Sequence, residues 1–367
     1  MLRLFLSATE TSADQLGANL LAQLQERTPL EVVGVGGERL RVAGLKPVAW
    51  AEELSLMGLV EVLGDLPRLW RVFRRVKREA LAFQPDVAVL IDGPDFHLPL
   101  SRHLARAGIP VVLYVSPQLW AWRPWRVRHI RQRVRKVLCI LPFEVAFYQE
   151  HGVDACFVGH PLVDELAPVA ASLPVEREHA IALLPGSRRH EVRALLPIMV
   201  AALQRLQQED PSILGKIIVA PGLSAAELGG IAGGLGFSGQ LVRGDEYQQI
   251  ASCGAAWVAS GTATLVCALL DVPMVVTYRV HPITYALAKR LVKIPYVGLV
   301  NLVAGELVAP ELLQDSLTVD RLAQVGGQLL AQEGERQRRK LAVVRQRLGP
   351  GGASQRAAEE ILRVVGR

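Results

Sequence analysis

Ala180-Ile181-Ala182-Leu183-Leu184-Pro185-Gly186-Ser187-Arg188 has the pattern of a strand, a tight turn and the approach to a helix. Small and branched apolar residues read as a buried strand, Pro185 and Gly186 end it, and a helical pattern resumes around Glu191. A strand that passes through a glycine turn into a helix is half of a βαβ unit. The same pattern repeats toward the C-terminus at 216–220, 255–259 and 274–277. Toward the N-terminus it has already run through 2–7, 32–35, 87–91, 111–115, 136–140 and 155–158. The two series are separated by a proline- and acid-containing stretch, 162–178. The expectation is an α/β protein of two domains, each with a parallel sheet. The tail from Val319 to Gly366 is helical in pattern, is broken at Gly349-Pro350-Gly351-Gly352, and resumes with Ser354 as N-cap of a last helix.

Length and composition agree. A chain of 367 residues accommodates about two domains at roughly 150 residues each, and 50% hydrophobic against 21% charged residues is a folding composition. Four cysteines without a CxxC pair argue against a disulfide scaffold or a structural zinc site. Met1–Leu6 is too short an apolar stretch for a secretory signal, and the charge-free run from Tyr247 to Leu270 is too polar for a membrane span. The expectation is a cytoplasmic protein. Lys and Arg number 41 against 35 Asp and Glu, a net charge of +6 that favours an anionic partner.

Ligands of open parallel sheets sit at the carboxyl ends of the strands, so the loops there carry the candidate chemistry. Gly186, Ser187 and Arg188 precede a helix start, where a small residue, backbone N–H groups, a hydroxyl and a fixed cation suit a diphosphate. Ser260, Gly261 and Thr262 repeat the arrangement for a second phosphate or a ribose. Asp92, in Ile91-Asp92-Gly93-Pro94-Asp95-Phe96, offers a carboxylate that can serve as general base on a hydroxyl. Each of these loops also reads as an ordinary turn or capped helix start. Trp120, Trp122 and Arg123 open a tryptophan-rich and then basic run that extends to Lys136. Val60, Val62, Leu63, Leu66, Leu69 and Trp70 stand beside Arg68, Arg71, Arg74 and Arg75, a pattern shared by interfacial membrane helices and by amphipathic core helices. A nucleic-acid reading accounts for the charge and for none of the motifs. Gly34-Val35-Gly36-Gly37 has Arg39 where a dinucleotide fingerprint has its third glycine, and no close metal-like histidine pairing occurs.

Taken together these segments resemble the lipid-A-disaccharide synthase family, glycosyltransferases of the GT-B fold. The resemblance is carried by Ala8-Thr9-Glu10-Thr11-Ser12-Ala13-Asp14, Leu56-Met57-Gly58, Ile91 to Phe96, Ser116-Pro117-Gln118-Leu119-Trp120-Ala121-Trp122-Arg123, Leu141-Pro142-Phe143-Glu144, Val158-Gly159-His160-Pro161, Leu184 to Arg188, Ala259 to Thr262 and Asn301-Leu302-Val303-Ala304-Gly305. It implies two Rossmann-like domains facing a cleft: residues 1–165 for the acceptor and the membrane, 166–345 for the UDP-sugar, and 346–367 as a helix packing back on the first domain. It implies transfer of 2,3-diacylglucosamine from UDP to 2,3-diacylglucosamine 1-phosphate, with inversion, a β-1,6 link and release of UDP, without metal or other cofactor. Asp92 would be the base; Arg188, Ser187, Gly186, Ser260, Gly261, Thr262 and Asn301 would surround the nucleotide; Glu10, Ser12 and Asp14 belong to the N-terminal loop. Val60 to Trp70, with Trp120, Trp122 and Arg123, would meet the acceptor and an anionic inner-membrane surface, giving a peripherally attached cytoplasmic enzyme. Thr9 and Ala13 replace glycines of the family's opening motif, Val266 replaces a ribose-binding glutamate, and Glu306-Leu307 replaces Arg-Glu. These positions keep open a glycosyltransferase with another nucleotide-sugar donor and a non-catalytic lipid-binding relative.

Overall fold

Alternation along the strands sorts the first core into two layers. The computed structural model describes residues 1–54, 61–122, 124–281, 285 and 294–366. Its first sheet contains β1 (Leu2–Ala8), β2 (Leu30–Gly36), β3 (Lys46–Trp50), β4 (Val87–Ile91), β5 (Val111–Tyr114), β6 (Lys136–Cys139) and β7 (Ala155–Phe157). All pairings are parallel, in the order β3-β2-β1-β4-β5-β6-β7. In β4, Ala88 and Leu90 point to a layer shared with Val72, Val76 and Ala80 of the Glu61–Phe83 helix. Val87, Val89 and Ile91 point the other way, toward Leu16, Leu20 and Leu24 of the Thr11–Gln25 helix. Every β4 residue is fully buried, as a strand covered on both faces requires.

The second sheet holds β8 (Glu178–Leu184), β9 (Leu214–Ile218), β10 (Gln240–Val242), β11 (Cys253–Ala259), β12 (Met274–Tyr278) and β13 (Glu311–Leu313). It too is wholly parallel, ordered β10-β9-β8-β11-β12-β13. Trp257 on β11 is fully buried and lies so close to Gly326 that a Cβ there would stand 2.7 Å from the indole.

The chain divides into two units, Met1–Pro161 with Pro350–Arg367, and Leu162–Gly349. The Ala353–Val364 helix belongs to the first. Its Ala357, Ala358 and Ile361 are fully buried among Leu2, Leu4 and Leu21. Lys136 Nζ meets the Glu360 carboxylate at 2.8 Å, and the Arg356 guanidinium donates to the Val158 carbonyl at 2.8 Å. Ser354 is not the cap expected for this helix. Gly352, at φ +88°, takes that position, because a left-handed residue lets the chain turn sharply out of Pro350 and Gly351.

Candidate active site

Each sheet reverses its winding at one place, between β1 and β4 in the first and between β8 and β11 in the second. These are the switch points at which open α/β sheets bind ligands. Ala8 pairs with Ile91, so Thr9 and Asp92 leave the first sheet side by side.

Asp92 has φ +54° and Gly93 φ +53°, two successive left-handed residues before Pro94 opens the Pro94–Arg106 helix. An aspartate tolerates this region better than most residues, at a strain of order 1 kcal/mol. Gly93 is required sterically as well: a Cβ there would lie 2.3 Å from Thr9 Oγ1. The conformation is held from behind. The Asp92 N–H donates to the Tyr114 carbonyl at 3.0 Å, and His97 Nδ1 donates to the Asp92 carbonyl at 2.5 Å. Ser7 Oγ then donates to His97 Nε2 at 2.8 Å, which fixes the tautomer. His97 is fully buried, and burial pulls its pKa down to about 4, so the ring is neutral near pH 7. The Asp92 carboxyl is half-buried, and desolvation raises its pKa above the ordinary carboxylate value against the opposing Gly93 N–H.

Glu10 is the exposed residue ahead of the Thr11–Gln25 helix, whereas Ser12 and Asp14 lie inside its first turn rather than in a loop. Asp14 is buried and accepts from the N–H groups of Gly37, Arg39 and Leu40 at 2.7, 3.0 and 3.3 Å, capping the short Glu38–Val42 helix. Thr9 and Ala13 have no positive φ, so their positions demand no glycine.

At the second switch point Gly186 has φ +111°. The N–H groups of Ser187 and Arg188 converge on one oxygen of Glu191, at 3.1 and 3.2 Å, and the Arg188 guanidinium reaches the other at 3.3 Å. A Cβ on Gly186 would lie 2.4 Å from that first oxygen. Thus a carboxylate of the protein itself occupies the anion cradle at the start of the Arg189–Glu209 helix, and the cradle's donors suit a phosphate equally. Ser260 and Gly261 leave β11, where Val258 pairs with Leu184 of β8. Ser260 Oγ donates to the Val297 carbonyl at 2.8 Å, and Thr262 stands at the start of the Ala263–Leu269 helix without a side-chain capping bond. Val266 in that helix is buried and carries no hydrogen-bonding group.

Asn301 differs from the expectation of a nucleotide contact. It is fully buried, and its amide donates to the Ala309 carbonyl and to Glu311, both at 2.8 Å, while accepting from the N–H groups of Val308 and Ala309, both at 2.9 Å. With every bond made to protein, it acts by tying the 297–311 segment together.

Trp120 is also anchored. Its indole N–H donates to Glu144 at 3.1 Å and its ring meets Phe143 edge-on at 4.8 Å. Glu144 is buried, also accepts from the Leu141 N–H, and burial pushes its pKa up to about 7. Tyr148 OH donates to the Pro117 carbonyl at 3.0 Å, so the loop after β5 is fastened to the Pro142–Glu150 helix. Leu69 is half-buried, and Trp70 is 59% exposed beneath the Arg74 guanidinium at 4.6 Å. Val60 and Arg123, and the side chains of Val62, Leu63, Leu66 and Trp122, lie outside the described residues.

Ser7, His97 and Glu191 join the site only in the folded structure and are not among the candidates that the sequence marks. The last carried a usable signal, since a glutamate three residues after Arg188 fits the spacing of a capping box.

Comparison with known proteins places this geometry. The family model for lipid-A-disaccharide synthetase matches residues 4–364. A lipid-A-disaccharide synthase of Myxococcus xanthus is 41% identical over 99% of this chain and 97% of its own length. Among solved structures, the UDP co-structure of S. aureus MnaA superimposes with a TM-score of 0.67 at 13% identity, covering 100% of this chain and 97% of that one. The calicheamicin glycosyltransferase CalG4 does so with a TM-score of 0.61 at 16% identity, covering 100% and 99%. The structural likeness establishes the GT-B fold, and the end-to-end sequence match goes further: this chain belongs to the lipid-A-disaccharide synthase family of glycosyltransferases.

Proposed function

We propose that the protein transfers 2,3-diacylglucosamine from its UDP carrier to 2,3-diacylglucosamine 1-phosphate, giving a β-1,6-linked disaccharide and UDP. The observation that carries this reading is Asp92, a half-buried carboxylate of raised pKa held in left-handed backbone at a switch point. The Asp92 carboxylate takes the proton of the acceptor 6-hydroxyl as its oxygen bonds to the anomeric carbon from the face opposite the leaving group. The anomeric carbon–oxygen bond breaks in the same step, and its electron pair leaves on the UDP β-phosphate. Arg188, with the N–H groups of Ser187 and Arg188, offsets that charge once Glu191 has moved aside. Ser260 to Thr262 border the nucleotide, while Asn301 supports it through the backbone it ties.

In this reading the first unit receives the acylated acceptor and the second the UDP-sugar. No helix among the described residues is long and apolar enough to cross a membrane. The exposed Trp70 and its neighbouring arginines suit attachment to an anionic inner-membrane surface from the cytoplasmic side.

Incubation of the purified protein with both substrates tests the assignment. Disaccharide and UDP are expected in equal amounts, and no disaccharide defeats it. Because Val266 supplies no acid for the ribose, a panel of other nucleotide-sugars belongs in the same assay. Preferred turnover of one of these identifies a different donor.

A further inference from the structure

A second constellation of charge lies in the first unit, along the helix that leaves the switch point. Between the Glu61–Phe83, Pro94–Arg106 and Val127–Arg133 helices runs a groove of about 390 Å³, lined by Arg102, Arg126 and Arg133 with His103, His129 and Trp125. Asp95 is the acid on its lining, and it is held by Arg126 at 3.2 Å. Among the described residues no carboxylate pairs with Arg102 or Arg133. Arg133 donates instead to the Leu98 carbonyl at 3.3 Å. The crowding has an electrostatic signature. Burial, then the charges of Arg102 and Arg106, lower the pKa of Arg133. Burial followed by Lys77, Arg102 and Arg106 does the same to His103, and burial followed by Arg133, Arg128 and Arg126 to His129. One acid against three arginines leaves an excess of like charge in a concavity, which marks a site whose remaining counter-charge comes from a ligand.

We propose that this groove is the subsite for the phosphate monoester of the acceptor. The inference rests on the transfer reading above and adds the residues that recognise the phosphate. The lining of the groove begins at Pro94 and Asp95, two and three residues beyond Asp92, so its near end is the basic surface next to a sugar whose hydroxyl meets Asp92. A monoester carries nearly two negative charges near neutral pH. A phosphodiester lipid headgroup carries one, which would leave most of the groove's charge unbalanced. Planar guanidiniums bind such oxygens in pairs, and the half-exposed Trp125 with Phe73 supplies an apolar wall for the sugar.

The test compares kcat/KM for the acceptor with and without its 1-phosphate, in neutral detergent micelles and on anionic vesicles. The wild-type protein is expected to favour the phosphorylated acceptor. R102A/R133A should lower that preference at least about tenfold by raising the KM for the phosphorylated acceptor, in both media, with the donor KM and UDP affinity unmoved. R102K/R133K should recover part of the preference. The exposed Arg102 changed alone, as R102A, gives the same trend without risk to folding. An unchanged preference in the variants overturns the subsite while leaving the transfer reading intact. A loss confined to anionic vesicles also overturns it and assigns the groove to lipid headgroups. No transfer by the wild-type protein to either acceptor defeats the transfer reading and the subsite together.

Discussion

Asp92 is strained, half-buried and held by a neutral histidine, and each property has a measurable consequence. Replacing it with asparagine keeps the shape and removes the base, so kcat should fall by about 10²- to 10⁴-fold with UDP affinity retained. The raised pKa places the acid limb of the kcat profile above the ordinary carboxylate value of 3.8. An acid limb at or below that value would remove Asp92 from the role. His97→Ala leaves the Asp92 carbonyl without its clamp, and unfolding free energy should drop by about 1–3 kcal/mol with kcat falling more than KM changes. His97 and His160 are both buried with pKa values lowered to about 4 from 6.5. The unfolded chain therefore binds more protons than the folded one below pH 6.5. Stability from these histidines is complete above 6.5 and is lost progressively as the pH falls toward 4, a trend that denaturant titrations across this range would reveal. Asp92 and Arg188 were legible in the sequence because each follows an apolar strand at its carboxyl end. The Ser7–His97 pair was not, since it joins residues 90 positions apart and a lone histidine in an amphipathic helix carries no local signal.

Among the elements, the anion cradle before the Arg189–Glu209 helix is filled by Glu191. If a diphosphate binds there it must displace this carboxylate. Glu191→Ala is then expected to tighten UDP binding several-fold in calorimetry while lowering stability by about 1 kcal/mol through the lost cap. Weaker UDP binding in this variant would make Glu191 a partner of the site rather than a competitor. The same loop shows which elements a sequence reveals. β1, β4, β8 and β11 are interior strands, and the apolar runs at their centres, such as Leu4-Phe5-Leu6 and Ala180 to Leu184, announced them. β3, β10 and β13 escaped notice, and all three are sheet edges. Lys46-Pro47-Val48-Ala49-Trp50 shows the reason: a strand paired on one side only is free to carry lysine and proline, and loses the composition by which strands are read.

For the whole molecule, the chain enters the first sheet, completes the second, and ends on the first unit through the Ala353–Val364 helix. Deleting residues 350–367 would uncover Leu2, Leu4 and Leu21 and remove the Lys136–Glu360 pair. Loss of cooperative unfolding of the first unit is expected, and Ile361→Ala alone should cost about 2–5 kcal/mol. A helical tail after the Gly349–Gly352 break was legible, but its cap was not, because glycine caps by backbone conformation and offers no side chain to recognise. The net charge of +6 acquires a location as well, in the arginines of the basic groove and those beside Trp70. If Asp92 activates the acceptor while a separate cradle holds UDP, the two functions come apart when disaccharide formation and UDP affinity are measured in parallel for the wild-type protein and Asp92→Asn. Transfer should all but disappear while the UDP dissociation constant is unchanged; undiminished disaccharide from Asp92→Asn would contradict a base at Asp92.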